Sequence, residues 1–123
     1  MTILVAEDEM IMLKTIELRL KKDGYNVIAT QDGMEALKKI EELCPDLIIT
    51  DIMMPFLSGL EIIETVKKKL GRKTPIIVLS AMGQENVVLD AFQLGADDYI
   101  TKPFSPNELS MRVKRYIPSA VNI

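Results

Sequence analysis

Short apolar runs rich in β-branched residues alternate along this chain with longer stretches of helical spacing. The short runs are Ile3 to Ala6, Asn26 to Ala29, Leu47 to Thr50, Ile76 to Ser80 and Tyr99 to Thr101, and they read as five strands. Leu47-Ile-Ile and Ile76-Ile-Val-Leu79 are almost wholly apolar, as central parallel strands covered on both faces are. Helical spacing falls between them, at Met10 to Lys22, Met34 to Leu43, Gly59 to Leu70, Glu85 to Leu94 and Pro106 to Ile117.

In the first helix, Ile11, Leu13, Ile16, Leu18 and Leu20 are expected to form the apolar side, with Lys14, Glu17, Lys21 and Lys22 in water. Gly24, Gly71 and Gly95 stand where helices end in a left-handed residue. Ser105, Pro106 and Glu108 form a capping pattern for the last helix, which Pro118 is expected to end. Five βα units with right-handed crossovers give an α/β fold: a five-stranded parallel sheet, doubly wound, flavodoxin-like, in strand order 2-1-3-4-5. Ligands of such sheets gather at the carboxyl ends of the strands.

Composition narrows the function. A chain of 123 residues, 48% hydrophobic and 27% charged, is expected to fold as one domain over residues 1–123, without staples. The net charge of -3 and the absence of any basic run longer than Lys67 to Lys69 argue against direct nucleic-acid binding. No apolar run is long enough for a membrane span, and no basic leader precedes the first strand. Cytoplasmic residence is expected. Cys44 is the single cysteine and there is no histidine, which argues against a Cys/His metal or nucleophile site. Any chemistry through phosphohistidine needs a histidine from another protein.

The topology sends the residues past the strands to one rim. The first strand brings Glu7 and Asp8, the third Asp51, the fourth Ser80 and the fifth Lys102. Carboxylates without histidine or thiolate suit a hard cation such as Mg²⁺. Lys102 and Ser80 add a cation and a hydroxyl that can bind phosphoryl oxygens, and a carboxylate can be the nucleophile toward phosphorus. Phosphoryl transfer to Asp51 is the reaction this set suits. Asp8 also fits a second role, as cap of the Met10 helix, and the sequence does not choose between them.

Val5-Ala-Glu7-Asp8-Glu9, Leu47-Ile-Ile-Thr-Asp51-Ile-Met-Met-Pro55, Val78-Leu-Ser80-Ala81 and Tyr99-Ile-Thr-Lys102-Pro103-Phe104 together resemble the receiver domain of two-component response regulators, the CheY-like superfamily. The resemblance covers the whole chain. It implies that Asp51 is the phosphoacceptor and that Glu7, Asp8, Asp51 and the Met53 carbonyl organise Mg²⁺. It implies too that Lys102 contacts the phosphoryl group, that Lys102–Pro103 is cis, and that Ser80 and Tyr99 form a switch pair. The implied partners are a sensor histidine kinase or phosphotransfer protein and a downstream effector, bound through the fourth helix, fifth strand and fifth helix.

The segments Gly95 to Phe104 and Glu108 to Arg115 resemble most closely those of receivers that precede winged-helix DNA-binding domains and dimerise through that face when phosphorylated. In those relatives the fourth helix supplies bases to ion pairs. Here no Lys or Arg lies between Gly83 and Asp98, Asp90 stands in that helix, and the bases are Arg112, Lys114 and Arg115. Val87, Val88, Leu89, Phe92 and Leu94 divide between core and an apolar surface patch. Met53 and Met82, two residues past Asp51 and Ser80, sit where the family tunes the lifetime of its aspartyl phosphate. Asp97 and Asp98 are expected as turn and capping residues, Met54 as filling, and Lys67 to Lys69 as a solvated helix face.

Three other readings compete. A flavodoxin-like cofactor binder needs a Ser/Thr/Gly phosphate loop where Glu7-Asp8-Glu9 stands. A haloacid-dehalogenase-type phosphohydrolase needs a second Asp where Met53 stands. A receiver-like scaffold that is never phosphorylated would have no use for the full acid and lysine set.

Overall fold

The computed structural model describes residues 1–118, so the tail from Ser119 lies outside the described residues. Five strands, β1 (Thr2–Ala6), β2 (Asn26–Thr30), β3 (Leu47–Asp51), β4 (Ile76–Ser80) and β5 (Asp98–Thr101), pair in parallel in the order β2-β1-β3-β4-β5. This is the expected order. The helices are α1 (Met10–Lys22), α2 (Gly33–Leu43), α3 (Gly59–Glu64), α4 (Glu85–Leu94) and α5 (Pro106–Lys114).

Alternation along each strand divides the core in two. Ile3, Val5, Leu47, Ile49, Ile77 and Leu79 face α1 and α5, while Leu4, Ala6, Ile48, Ile76 and Val78 face α2, α3 and α4. Both faces of the central strands are therefore covered, which is why every residue of β3 and β4 is buried.

Four expectations need correction. In α1 the buried residues are Leu13, Ile16 and Leu20, whereas Ile11 is 76% and Leu18 58% exposed. At 100° per residue, positions 11 and 18 share a side nearly opposite position 13, so they cannot join it in the core. The third helix does not run evenly to Leu70. It passes at Thr65 into a π-helical turn, Thr65–Lys69, with Leu70 N–H donating to the Thr65 carbonyl at 2.8 Å. That wider turn takes Lys67 out of a plain solvated face and sets its ammonium 3.2 Å from Asp97. The fifth helix ends at Lys114 rather than at Pro118, and tighter turns carry the chain on to the buried Ile117.

Asp98 is the fourth correction: it is neither turn nor cap but the buried first residue of β5, paired with Arg112 at 2.9 Å. Asp97 does serve the turn, accepting from Ile76 N–H at 2.8 Å. Left-handed conformations occur at Gly24, Gly71 and Gly95 as expected. Cys44 also closes α2 left-handed, at φ 45, with no glycine to signal it. The Ser105 cap accepts from Glu108 N–H at 3.1 Å. Among the described residues no helix is long and apolar enough to cross a membrane.

Candidate phosphorylation site

In-phase parallel strands end on one edge, and the candidate residues meet there. Asp51 is the last residue of β3, Ser80 the last of β4, Glu7 and Asp8 follow β1, and Lys102 follows β5. Lys102 N–H donates to the Ser80 carbonyl at 2.7 Å and Ile52 N–H to the Leu79 carbonyl at 3.0 Å. Backbone bonds thus fix the three strand ends relative to one another.

Lys102 Nζ lies 2.6 Å from Asp51 Oδ1 and 2.8 Å from Glu7 Oε1. Glu7 is fully buried and Asp51 5% exposed, so two acids share one cation away from water. Burial, then the hydrogen bond from Glu7, push the Asp51 carboxyl up to about 8, against the pull of Lys102. Burial acts on Glu7 the same way, but bonds with Asp51 and Lys102 outweigh it and hold that carboxyl below its ordinary value. For Lys102, burial lowers the ammonium, yet its bonds to Asp51 and Glu7 raise it above the ordinary value.

Asp8 is exposed and does not cap α1, whose N-cap is Glu9 without a side-chain bond. Instead Glu7, Asp8 and Asp51 each bring a carboxylate oxygen within 4.8 Å of the others. This donor set, all hard oxygen, fits a small divalent cation. The Lys102–Pro103 bond is cis, as expected.

Ser80 is buried and lines a cleft of about 420 Å³ with Val88, Leu89, Phe92, Tyr99 and Thr101. Tyr99 stands half out of that cleft, 41% exposed, its ring edge-on to Phe92 at 5.9 Å. Met53 and Met82 are exposed, whereas Met54 packs against the core on the side of the sheet that α2, α3 and α4 cover.

Two features escaped the sequence reading. Gly59 approaches the Asp51 backbone so closely that a Cβ there would lie 2.2 Å from the Asp51 carbonyl oxygen. Gln84 turns its side-chain oxygen back onto the Ala81 N–H at 2.7 Å. A glycine at the start of a helix and a glutamine at the start of the next look ordinary in sequence. Only the neighbouring strand ends give them a role.

Comparison with known proteins points to one family. Residues 3–114 match the response regulator receiver domain. The chain is 44% identical over 112 residues to the alkaline phosphatase synthesis transcriptional regulatory protein PhoP of Bacillus subtilis, covering 91% of this chain and 46% of that protein. It is 43% identical over 117 residues to response regulator RR06 of Streptococcus pneumoniae, covering 95% of this chain and 53% of that one. A crystal structure of a receiver domain protein from Clostridium thermocellum superposes with TM-score 0.88 at 33% identity, covering 94% of this chain and 93% of that one. CheY4 of Vibrio cholerae superposes with TM-score 0.87 at 28% identity, covering 94% and 98%.

The chain therefore belongs to the response regulator receiver domains, the phosphorylation-activated regulatory switches of two-component systems. It spans about half the length of the curated relatives it matches.

Proposed function

We propose that residues 1–123 form one receiver domain in which Asp51 takes a phosphoryl group from the phosphohistidine of a sensor histidine kinase or phosphotransfer protein. The observation that carries this reading is the buried meeting of Asp51, Glu7 and Lys102, with 2.6 and 2.8 Å contacts to one ammonium. An Asp51 carboxylate oxygen attacks phosphorus and the P–N bond to the donor histidine breaks. The resulting acyl phosphate keeps its charged oxygens within reach of Lys102 and Ser80.

Glu7, Asp8, Asp51 and the Met53 carbonyl would hold Mg²⁺, which supplies charge neutralisation at the transferring group. The domain in this sense assists its own phosphorylation and dephosphorylation while remaining a regulatory module. Ser80, drawn to the phosphoryl group, leaves room in the cleft beside it for Tyr99 to turn inward, and so reshapes the face of α4, β5 and α5.

That face is proposed to bind a downstream effector or a second phosphorylated copy. Its α4 part is apolar, with Leu89 61% and Phe92 39% exposed, and Arg112 is already engaged by Asp98 of its own chain. A contact here would rest on apolar area more than on ion pairs. A cytoplasmic location follows from a histidine kinase as donor.

Incubation with Mg²⁺ and acetyl phosphate tests the reading by intact mass. Wild type is expected to gain one phosphoryl group that Asp51→Asn does not. A wild type that stays unmodified, or an equal gain in the variant, would end it.

A further inference from the structure

The strand pairing leaves one backbone donor at the site with an unusual partner. In β4, odd-numbered residues face β3 and even-numbered ones face β5: Ile48 and Ile52 donate to Pro75 and Leu79, whereas Asp97 and Lys102 donate to Ile76 and Ser80. One more step of a parallel ladder would join Ala81 N–H to the Ile52 carbonyl. That carbonyl instead accepts from Gly59 N–H at 3.0 Å, and Ala81 N–H is taken by Gln84 Oε1 at 2.7 Å. The Ala81 amide therefore points toward the strand that carries Asp51, one residue beyond Ser80, where the sheet opens.

Gln84 gives up another use of its side chain to do this. It is the N-cap residue of α4 yet makes no side-chain cap bond. Its backbone closes the turn from Ala81, donating to the Ala81 carbonyl at 3.3 Å, and Gly83 supplies the positive φ of 91 that the turn needs. The side chain then folds back across the same turn.

We propose that Gln84 is a positioning residue that reserves the Ala81 amide in the resting domain and yields it to a phosphoryl oxygen on Asp51. This rests on Asp51 being the phosphoacceptor. A phosphoryl oxygen is charged and the glutamine oxygen is not, and charge-assisted hydrogen bonds are roughly twice as strong. The exchange therefore runs forward only when Asp51 is modified. Release of Gln84 loosens the first turn of α4, the helix whose Glu85, Val88, Leu89 and Phe92 line the Tyr99 cleft. Phosphorylation is thereby tied to the output face by a route separate from Ser80.

The test uses the whole chain with Gln84→Ala and Gln84→Glu. Two quantities are read: the rate of phosphorylation by acetyl phosphate with Mg²⁺, and hydrogen exchange of the Ala81 amide by NMR, before and after beryllofluoride. Removing the neutral hydrogen bond is expected to speed phosphorylation about fivefold in Gln84→Ala, and the tighter carboxylate acceptor to slow it similarly in Gln84→Glu. In resting Gln84→Ala the Ala81 amide should exchange about tenfold faster than in wild type and regain wild-type protection with beryllofluoride. A merely structural role for Gln84 would not produce that recovery.

Rates within about twofold of wild type in both variants, or an Ala81 amide in Gln84→Ala that beryllofluoride leaves unprotected, would overturn the proposal. If wild type itself takes no phosphoryl group, the phosphoacceptor reading falls and this inference with it. If wild type is phosphorylated while both variants match it, only the role of Gln84 falls.

Discussion

Replacing Gly59 by alanine tests how closely α3 is seated against the phosphorylation site. The new Cβ would meet the Asp51 carbonyl oxygen at 2.2 Å and the Ile52 Cα at 3.0 Å, an overlap of about 1 Å with backbone that no rotamer change relieves. The first turn of α3 must back away, which strains the Gly59 N–H bond to the Ile52 carbonyl, now 3.0 Å. Overpacking costs roughly 1–3 kcal/mol and the hydrogen bond about 1 kcal/mol more. Taken together this is about 3 kcal/mol, or about 12 °C of Tm for a domain of this size. Circular dichroism during heating measures the loss, and the acetyl phosphate assay should show slower modification of a displaced Asp51. Gly71 provides the contrast: nothing lies within 4 Å of a Cβ there and only its φ of +61 resists a side chain, so Gly71→Ala should cost about 1 kcal/mol. A Gly59→Ala protein that melts with wild type, or above Gly71→Ala, would refute the reasoning.

Lys102→Met leaves Glu7 and Asp51 buried together without their shared cation; it should abolish phosphorylation and cost about 3 kcal/mol in metal-free thermal unfolding, in part restored by Mg²⁺. A metal-free Tm unchanged from wild type would contradict the triad. The Asp51 carboxyl, held up to about 8, makes Mg²⁺ compete with a proton, so affinity should weaken as pH falls below that value and binding near neutrality should release a proton, detectable by calorimetry in buffers of different ionisation heat. The sign for metal-free stability follows from the same shift: the folded state holds this proton more tightly than the unfolded chain, so the contribution is fully present below about 4 and is lost as pH rises toward 8. Mg²⁺ binding that is flat from pH 6 to 9 would sink both expectations.

The sequence by itself determined the fold class, the order of elements and the identity of the rim residues. Periodicity separates the five strands from five helices, parallel connections then put strand ends on one edge, and Glu7, Asp51, Ser80 and Lys102 stand at those ends in the chain. The same logic failed for α1, where Ile11 and Leu18 are apolar but turned outward; hydrophobicity marks what can be buried, and helix rotation against the sheet decides what is. The π-helical turn at Thr65–Lys69 and the burial of Asp98 against Arg112 have no periodic signature, because each answers to a partner far away in the chain.

Tertiary structure alone decided how the site rests. It placed Lys102 between Glu7 and Asp51, raised the Asp51 carboxyl by burial, pressed Gly59 onto the Asp51 backbone and gave the Ala81 amide to Gln84. Each of these depends on close contacts set by how the strand ends and the loops after them pack together. A linear pattern carries which groups are available, and the packing of strand ends sets the distances that turn them into one site.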